Sequence, residues 1–309
     1  MHHAVTMLLA LVLPCDLDGD LVSLFTACEY RYTGGEYSDE RFAYRLFVPT
    51  GADAGEKKWP LIVWLHGHGE AGNENVLHLR WLNLVLSPPF ERRRYPFFLL
   101  AVQCPLDNPN WTENRDGPAA DDMVNVAWQI IERTLHDYAI DPSRVYLSGV
   151  SSGGTGCWEL AARHPDFFAV VAPIASSGSD SPKLGHLVGT PVWAFHSSRD
   201  FSTPVRLVRN TVRRLKDAGG NVHLTEIESS GHDCWSAAFN DYHLLDWLLS
   251  QRRGHVSPAP GSISMSNGLQ DLFKEWRWWQ VLAQAAVLAA ILAILAVAVR
   301  RRLRAPTRY

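Results

Sequence analysis

Leu147-Ser148-Gly149-Val150-Ser151-Ser152-Gly153-Gly154 sets a serine between two glycines, where an apolar run ends and a helix-like segment begins. Val145 to Ser148 reads as a short buried strand after the turn Asp141-Pro142-Ser143-Arg144. Gly154 to His164 carries Trp158, Ala161 and Ala162 at helical spacing and stops at Pro165. Strand, sharp glycine turn and helix form a nucleophile elbow, in which the serine hydroxyl is pushed out of the sheet and the glycines admit close backbone approach. Ser151 is the candidate nucleophile. The pentapeptide by itself also fits a glycine-rich loop without chemistry, so the flanking chain has to supply the rest of a site.

A serine hydroxyl is a poor nucleophile at neutral pH and needs a histidine base, which in turn needs an acid to fix its tautomer. For a strand-elbow-helix nucleophile the expected chain order is Ser, acid, His. Thr190 to His196 reads as a strand, and Ser197-Ser198-Arg199-Asp200 as the loop leaving it, so Asp200 is the candidate acid. A helix from about Val205 to Ala218 ends at Gly219-Gly220, and Asn221 to Ile227 alternates as a strand. The following loop holds Gly231-His232-Asp233-Cys234-Trp235, which makes His232 the candidate base among 13 histidines. Asp180 and Asp233 are the rival acids, one in a loop after an earlier strand and the other adjoining the base.

Acyl transfer also needs backbone N–H groups aimed at the developing oxyanion. One is expected from Ser152, the residue after the nucleophile. The other is expected from His68, in the loop His66-Gly67-His68-Gly69-Glu70 that leaves the apolar strand Pro60 to Leu65. His66 and His68 also suggest a metal, but no cysteine or carboxylate set completes such a site. The expectation is therefore no metal and no cofactor, with His66 holding the loop.

Pro60 to Glu70 with Ala71-Gly72-Asn73 resembles the oxyanion segment of secreted bacterial α/β-hydrolases of the predicted-peptidase and phospholipase/carboxylesterase-like type, relatives of feruloyl esterases and polyhydroxyalkanoate depolymerases. Ala101 to Pro105 with Trp111, Ile140 to Gly149, and His164 to Ala169 match in order, so the resemblance spans roughly Tyr30 to Leu249. It implies an esterase-type serine hydrolase with Ser151, Asp200 and His232 as its triad. Two positions depart from that pattern. Ser152 stands where the family often has methionine, and Cys157 where a small polar residue is expected.

The composition, 47% hydrophobic and 20% charged over 309 residues, suits one large core, and the net charge of −3 predicts no nucleic-acid partner. Strand-like runs at Tyr44 to Val48, Leu61 to Leu65, Phe97 to Val102, Val145 to Ser148, Val170 to Ile174, Val192 to His196 and Val222 to Ile227 alternate with helical segments. The predicted architecture is an α/β-hydrolase fold: a mostly parallel sheet covered by helices on both faces, plus one C-terminal transmembrane helix.

That last helix rests on Val281 to Val299, almost wholly Ala, Val, Leu and Ile, long enough to cross a bilayer core. Trp276, Trp278 and Trp279 precede it, and Arg300, Arg301, Arg302 and Arg304 follow, which predicts a cytoplasmic C-terminus and a catalytic part outside. Ala4 to Leu13 is the candidate export signal, although no Lys or Arg precedes it. The predicted organisation is a leader over 1–28, a catalytic domain over 29–252, a Ser/Pro/Gly-rich linker over 253–270 and an anchor with basic flank over 271–304. Five cysteines leave at least one unpaired if the others bridge, and Cys157 and Cys234 are the one pair considered for a disulfide in an oxidising compartment, with free thiols as the alternative.

Trp111 and Trp235 are the candidate pocket residues, and Val76 to Pro96 is read either as an apolar wall over the site or as a core helix and turn. The expected partners are a small-molecule or polymer-borne ester and, through the C-terminal helix, a membrane. No obligate protein partner is evident. A serine peptidase with the same site is the rival reading, and it needs a peptide-sized surface. A catalytically silent surface-binding protein is the other, and it has no need of three residues in their functional loops.

Overall fold

Leu61, Val63 and Leu65 alternate with Ile62 and Trp64, and every one is buried, which a strand achieves only at the centre of a two-faced sheet. In the computed structural model this strand is β3 (Trp59–Leu65) of eight. The structure describes residues 19–35, 37–52, 56–86, 97–112, 123–229 and 231–255. All of them lie in the first of two units into which the chain divides after Ala259. The other strands are β1 (Phe25–Gly34), β2 (Tyr37–Phe47), β4 (Phe98–Val102), β5 (Ile140–Val150), β6 (Val170–Ile174), β7 (Val192–Ser197) and β8 (Val222–Ile227). Their spatial order is β1-β2-β4-β3-β5-β6-β7-β8. β1 and β2 join antiparallel, β2 joins β4 antiparallel, and each remaining neighbour runs parallel.

The alternation along β3 divides the core in two. Leu61, Val63 and Leu65 pack with α3 (Met123–Asp137), α4 (Ser152–Arg163) and α5 (Val205–Asp217) on one face. Ile62 and Trp64 pack on the other with α1 (Gly19–Ser23), α2 (Asn83–Leu86), α6 (Trp235–Asn240) and α7 (Leu244–Ser250). The mostly parallel, doubly covered sheet expected from the sequence is what forms, and among the described residues no helix is long and apolar enough to cross a membrane. The expected anchor over 271–304 lies outside the described residues, as do Ala4 to Leu13 and most of the linker.

Several boundaries are corrected. The leader was expected to reach residue 28, yet Leu21 and Phe25 are core residues and Phe25 pairs with Phe47, so residues 19–28 belong to the fold. At the other end, Arg253 N–H donates to Ser143 O at 2.8 Å and Arg252 bridges to His255, so the fold continues three residues past 252. Asp141 to Arg144 is not a free turn. It bulges from β5, where Ile140 pairs with Trp59 and Val145 with Leu61, and the Asp141 carboxylate accepts the Ser143 N–H at 3.0 Å.

The Cys157–Cys234 bridge considered from the sequence does not form. Both are free thiols, Cys157 in the core on the α4 face of the sheet and Cys234 in the core on the α6 face, so the sheet stands between them. The segment from Val76 divides between its two readings: Leu79, Leu82, Val85 and Leu86 are core, while Trp81 is half-buried beside the site and residues 87–96 lie outside the described set.

Candidate active site

Ser151 follows the last residue of β5 and caps α4 with φ 55° and ψ −119°, a left-handed, strained conformation for a residue with a Cβ. Its neighbours explain how the chain tolerates this. An added Cβ at Gly153 would stand 2.1 Å from Leu65 O and 2.4 Å from His66 O, and one at Gly149 would stand 2.6 Å from Leu65 O. Only glycine lets the elbow press against the end of β3. Ser151 N–H donates to Ile174 O at 2.9 Å and ties the turn to β6.

The three residues proposed from chain order come together. Asp200 lies on the loop after β7 with its side chain buried, and His232 on the loop after β8. His232 Nδ1–H donates to Asp200 Oδ2 at 2.6 Å, since a carboxylate only accepts. That fixes the tautomer and leaves Nε2 to accept from Ser151 Oγ–H at 2.8 Å. Asp200 Oδ1 is engaged too, accepting the Ser202 and Thr203 N–H groups at 2.8 and 2.9 Å. The rival Asp233 instead receives the Ser236 N–H at the start of α6, at 3.4 Å.

Both expected oxyanion donors begin a helix, where N–H groups have no partner one turn back. Ser152 is the first residue of α4, whose dipole also favours negative charge there, and His68 is the first residue of the 3₁₀ turn His68–Glu70. The two elements meet at Gly67, where an added Cβ would stand 3.4 Å from Ser151 Cβ. His66 is fully buried, and its ring frames this loop. Cys104 N–H donates to its Nε2 at 2.9 Å, so Nδ1 carries the proton and donates to Gly67 O at 2.6 Å. A trans peptide points its C=O and N–H in opposite directions, so holding Gly67 O toward His66 turns the His68 N–H away from that ring. Burial pushes the His66 imidazole down to about 4. His68, the other half of the metal reading, places Nδ1 3.1 Å from Asn110 Oδ1.

The two candidate pocket residues part company. Trp235 stands edge-to-face against the His232 ring at 5.6 Å and 5.0 Å from Trp81. Trp111 is not at the surface: it is 1% exposed, packed against Gly156 of α4, and its Nε1–H donates to His66 O at 2.8 Å. Its indole supports the oxyanion loop from beneath, which corrects the expectation that it lines the pocket.

Trp81 fits the reading of Val76 to Pro96 as a wall beside the site. Two residues at the site were missed. Glu70 is one: its carboxylate accepts from the Gly67 backbone and the Trp81 side chain, and burial raises its pKa against the pull of the Arg80 guanidinium 3.7 Å away. The other is His196, wholly buried and 3.5 Å from Asp200 Oδ2. A histidine closing an apolar strand four residues before the candidate acid was the signal available for it.

The chain matches no protein-family model. It is 33% identical over 159 residues to NocK of Nocardia uniformis subsp. tsuyamanensis, a protein named as an esterase, covering 51% of this chain and 45% of that one. It is 38% identical over 66 residues to poly(3-hydroxyalkanoate) depolymerase C of Paucimonas lemoignei, covering 21% of this chain and 16% of that one. The crystal structure of a thermostable esterase superposes with a TM-score of 0.67 and 31% identity, covering 76% of this chain and 64% of the other. The chain thus spans less than half the length of the curated relatives it matches. Elbow, sheet order and relatives agree on an α/β-hydrolase fold, and over part of its length the chain is similar to proteins named as esterases.

Proposed function

We propose that the protein is a serine hydrolase that cleaves carboxylic esters through an acyl-enzyme, and that Ser151, His232 and Asp200 are its catalytic triad. The observation that carries this is the His232 ring bridging Ser151 Oγ at 2.8 Å and Asp200 Oδ2 at 2.6 Å. Ser151 Oγ attacks the ester carbonyl while His232 Nε2 takes its proton. Negative charge collects on the carbonyl oxygen, where the Ser152 and His68 N–H groups receive it. Asp200 steadies the imidazolium, which then protonates the departing alkoxide, and the C–O bond to the alcohol breaks. Water, deprotonated by the same nitrogen, attacks the acyl-enzyme and releases the acid and Ser151.

The site is also proposed to work outside the cytoplasm on a membrane tether. The support is in the sequence: an apolar segment from Val281 to Val299, arginines at 300, 301, 302 and 304, and an apolar stretch from Ala4 to Leu13. Protease protection of the basic tail in sealed, right-side-out cells tests this arrangement. Cleavage of the tail from outside would overturn it.

The chemical test is hydrolysis of p-nitrophenyl esters from acetate to long acyl chains by the full-length protein beside Ser151→Ala. Turnover that falls by about 10³ or more in the variant supports the reading. Turnover that survives it, or cleavage of peptide amides alone, defeats it.

A further inference from the structure

Asp200 Oδ2 faces two histidines. His232 donates to it at 2.6 Å, and on another side stands His196 Nε2 at 3.5 Å. His196 is the penultimate residue of β7, fully buried, and it belongs to no step proposed so far. Its protonation follows from its neighbours. Nε2 lies 2.7 Å from Thr203 O, and a carbonyl oxygen only accepts, so Nε2 carries a hydrogen. Nδ1 is buried without a hydrogen-bond partner, so a second proton there would find no acceptor. The ring is neutral, with its N–H edge toward the carboxylate and its lone pair away from it. Burial also lowers its pKa.

A closed ring of contacts results. His196 Nε2–H donates to the Thr203 carbonyl, the Thr203 N–H donates to Asp200 Oδ1, and Asp200 Oδ2 lies 3.5 Å from the same Nε2, in contact with the ring's positive edge but not hydrogen-bonded to it. The loop's other ties reach β8 and the segment after it, through Ser198 N–H to Ile227 O at 2.9 Å and Ser197 Oγ to Ser229 O at 2.7 Å. His196 therefore has two effects on the acid: it fixes the span from 197 to 203, and it presents a positive dipole end to the oxygen that orients His232.

We infer that His196 is a positioning residue of this site: a neutral ring whose single Nε2–H, donated to Thr203 O, fixes the loop that holds the Asp200 carboxylate on His232, and whose positive edge beside Oδ2 sets the electrostatic potential His232 feels. This rests on the proposed triad. Without the donor, the potential at Oδ2 becomes more negative and favours the imidazolium. The acid limb of the pH–rate profile then moves to higher pH while substrate binding is untouched. Other charged or titratable groups facing the pair are Glu70 from the 3₁₀ turn, Asp233 and Cys234 after the base, and Glu226 on β8, which Arg209 of α5 neutralises. None of these is altered by a change at 196.

His196→Leu removes the donor and keeps an apolar volume. His196→Gln places an amide N–H near the Nε2 position. For Leu the expected result is kcat lower by about 10-fold at constant KM, with the acid limb raised by about half a pH unit. For Gln, most of the kcat and the wild-type limb return. Equal pH profiles in all three proteins would overturn the inference while leaving Ser151-dependent turnover, and hence the triad, intact. If His196→Leu fails to fold, a long-range ¹H–¹⁵N spectrum of the wild-type protein decides. A neutral Nε2–H ring that does not titrate between pH 5 and 9 supports the assignment, and an Nδ1–H tautomer or a titrating ring ends it.

Discussion

A methyl group at position 153 would have to occupy the space of two carbonyl oxygens, Leu65 O and His66 O. Gly153→Ala is accordingly expected to cost roughly 3 kcal/mol or more, since neither backbone can yield without moving the elbow. Urea titration of the two proteins measures it, and a cost under about 1 kcal/mol would mean that the sheet end is softer than the packing indicates. His66 supplies a second prediction, in pH. Its ring stays neutral in the fold down to about 4, whereas in the unfolded chain it titrates near 6.5. Between those values the unfolded state binds the extra proton, so stability falls as pH drops through that window, by on the order of 3 kcal/mol for this one group. Carboxylates add their own slope, so the measurement is the difference between wild type and His66→Gln. The variant loses less stability between pH 7 and pH 4, and parallel curves would refute the assignment.

At the scale of elements, Trp111 joins the loop before α3 to the loop carrying His68, one of the two candidate oxyanion donors. Trp111→Phe keeps the packing on α4 but leaves His66 O without its indole donor. It is expected to lose about 1–2 kcal/mol of stability, and kcat should fall more than KM changes. Steady-state kinetics with a short-chain ester checks this, and a loss confined to KM would place the indole at the substrate instead. Trp111 also shows where sequence reading stops. Its loop was placed at the correct end of the sheet, but whether an indole faces solvent or core depends on Gly156 of α4, 45 residues away. The parallel strands were legible because burial on both faces makes them unbroken apolar runs, as in Pro60 to Leu65. Of the β1–β2 hairpin only the end of β2 from Tyr44 was legible; β1 was not, because it lies at the sheet edge and alternates charged with aromatic residues, as in Glu29-Tyr30-Arg31-Tyr32, directly after a stretch read as a leader. Ser151 was legible from its glycine elbow, and Asp200 and His232 from their loops in chain order after it and from the family resemblance. Glu70 was not, since its ties to Gly67, Arg80 and Trp81 depend on how the loop folds; His196 had only its place four residues before Asp200 as a signal, because the group it holds is a backbone carbonyl.

Across the whole molecule the sheet is a partition as well as a scaffold. Cys157 and Cys234 lie in different halves of the core, and with Cys104 they are buried. Burial keeps all three as thiols rather than thiolates, with Cys234 pushed up to about 12. A native titration with a chromogenic disulfide reagent, followed by peptide mapping, should leave these three unlabelled until denaturant is added. Finding Cys157 joined to Cys234 would contradict the layer arrangement itself.

Arg252 and Arg253 bind Asp141 and Ser143, at the edge where β5 begins, and Ser151 emerges at the edge where β5 ends. His255, bridged to Arg252, therefore lies at the end of β5 opposite Ser151. If the proposed esterase holds, beads coupled at position 255 should leave turnover as in solution, whereas beads coupled through Leu106 or Phe201, exposed on loops that follow β4 and β7, should shade the substrate's approach.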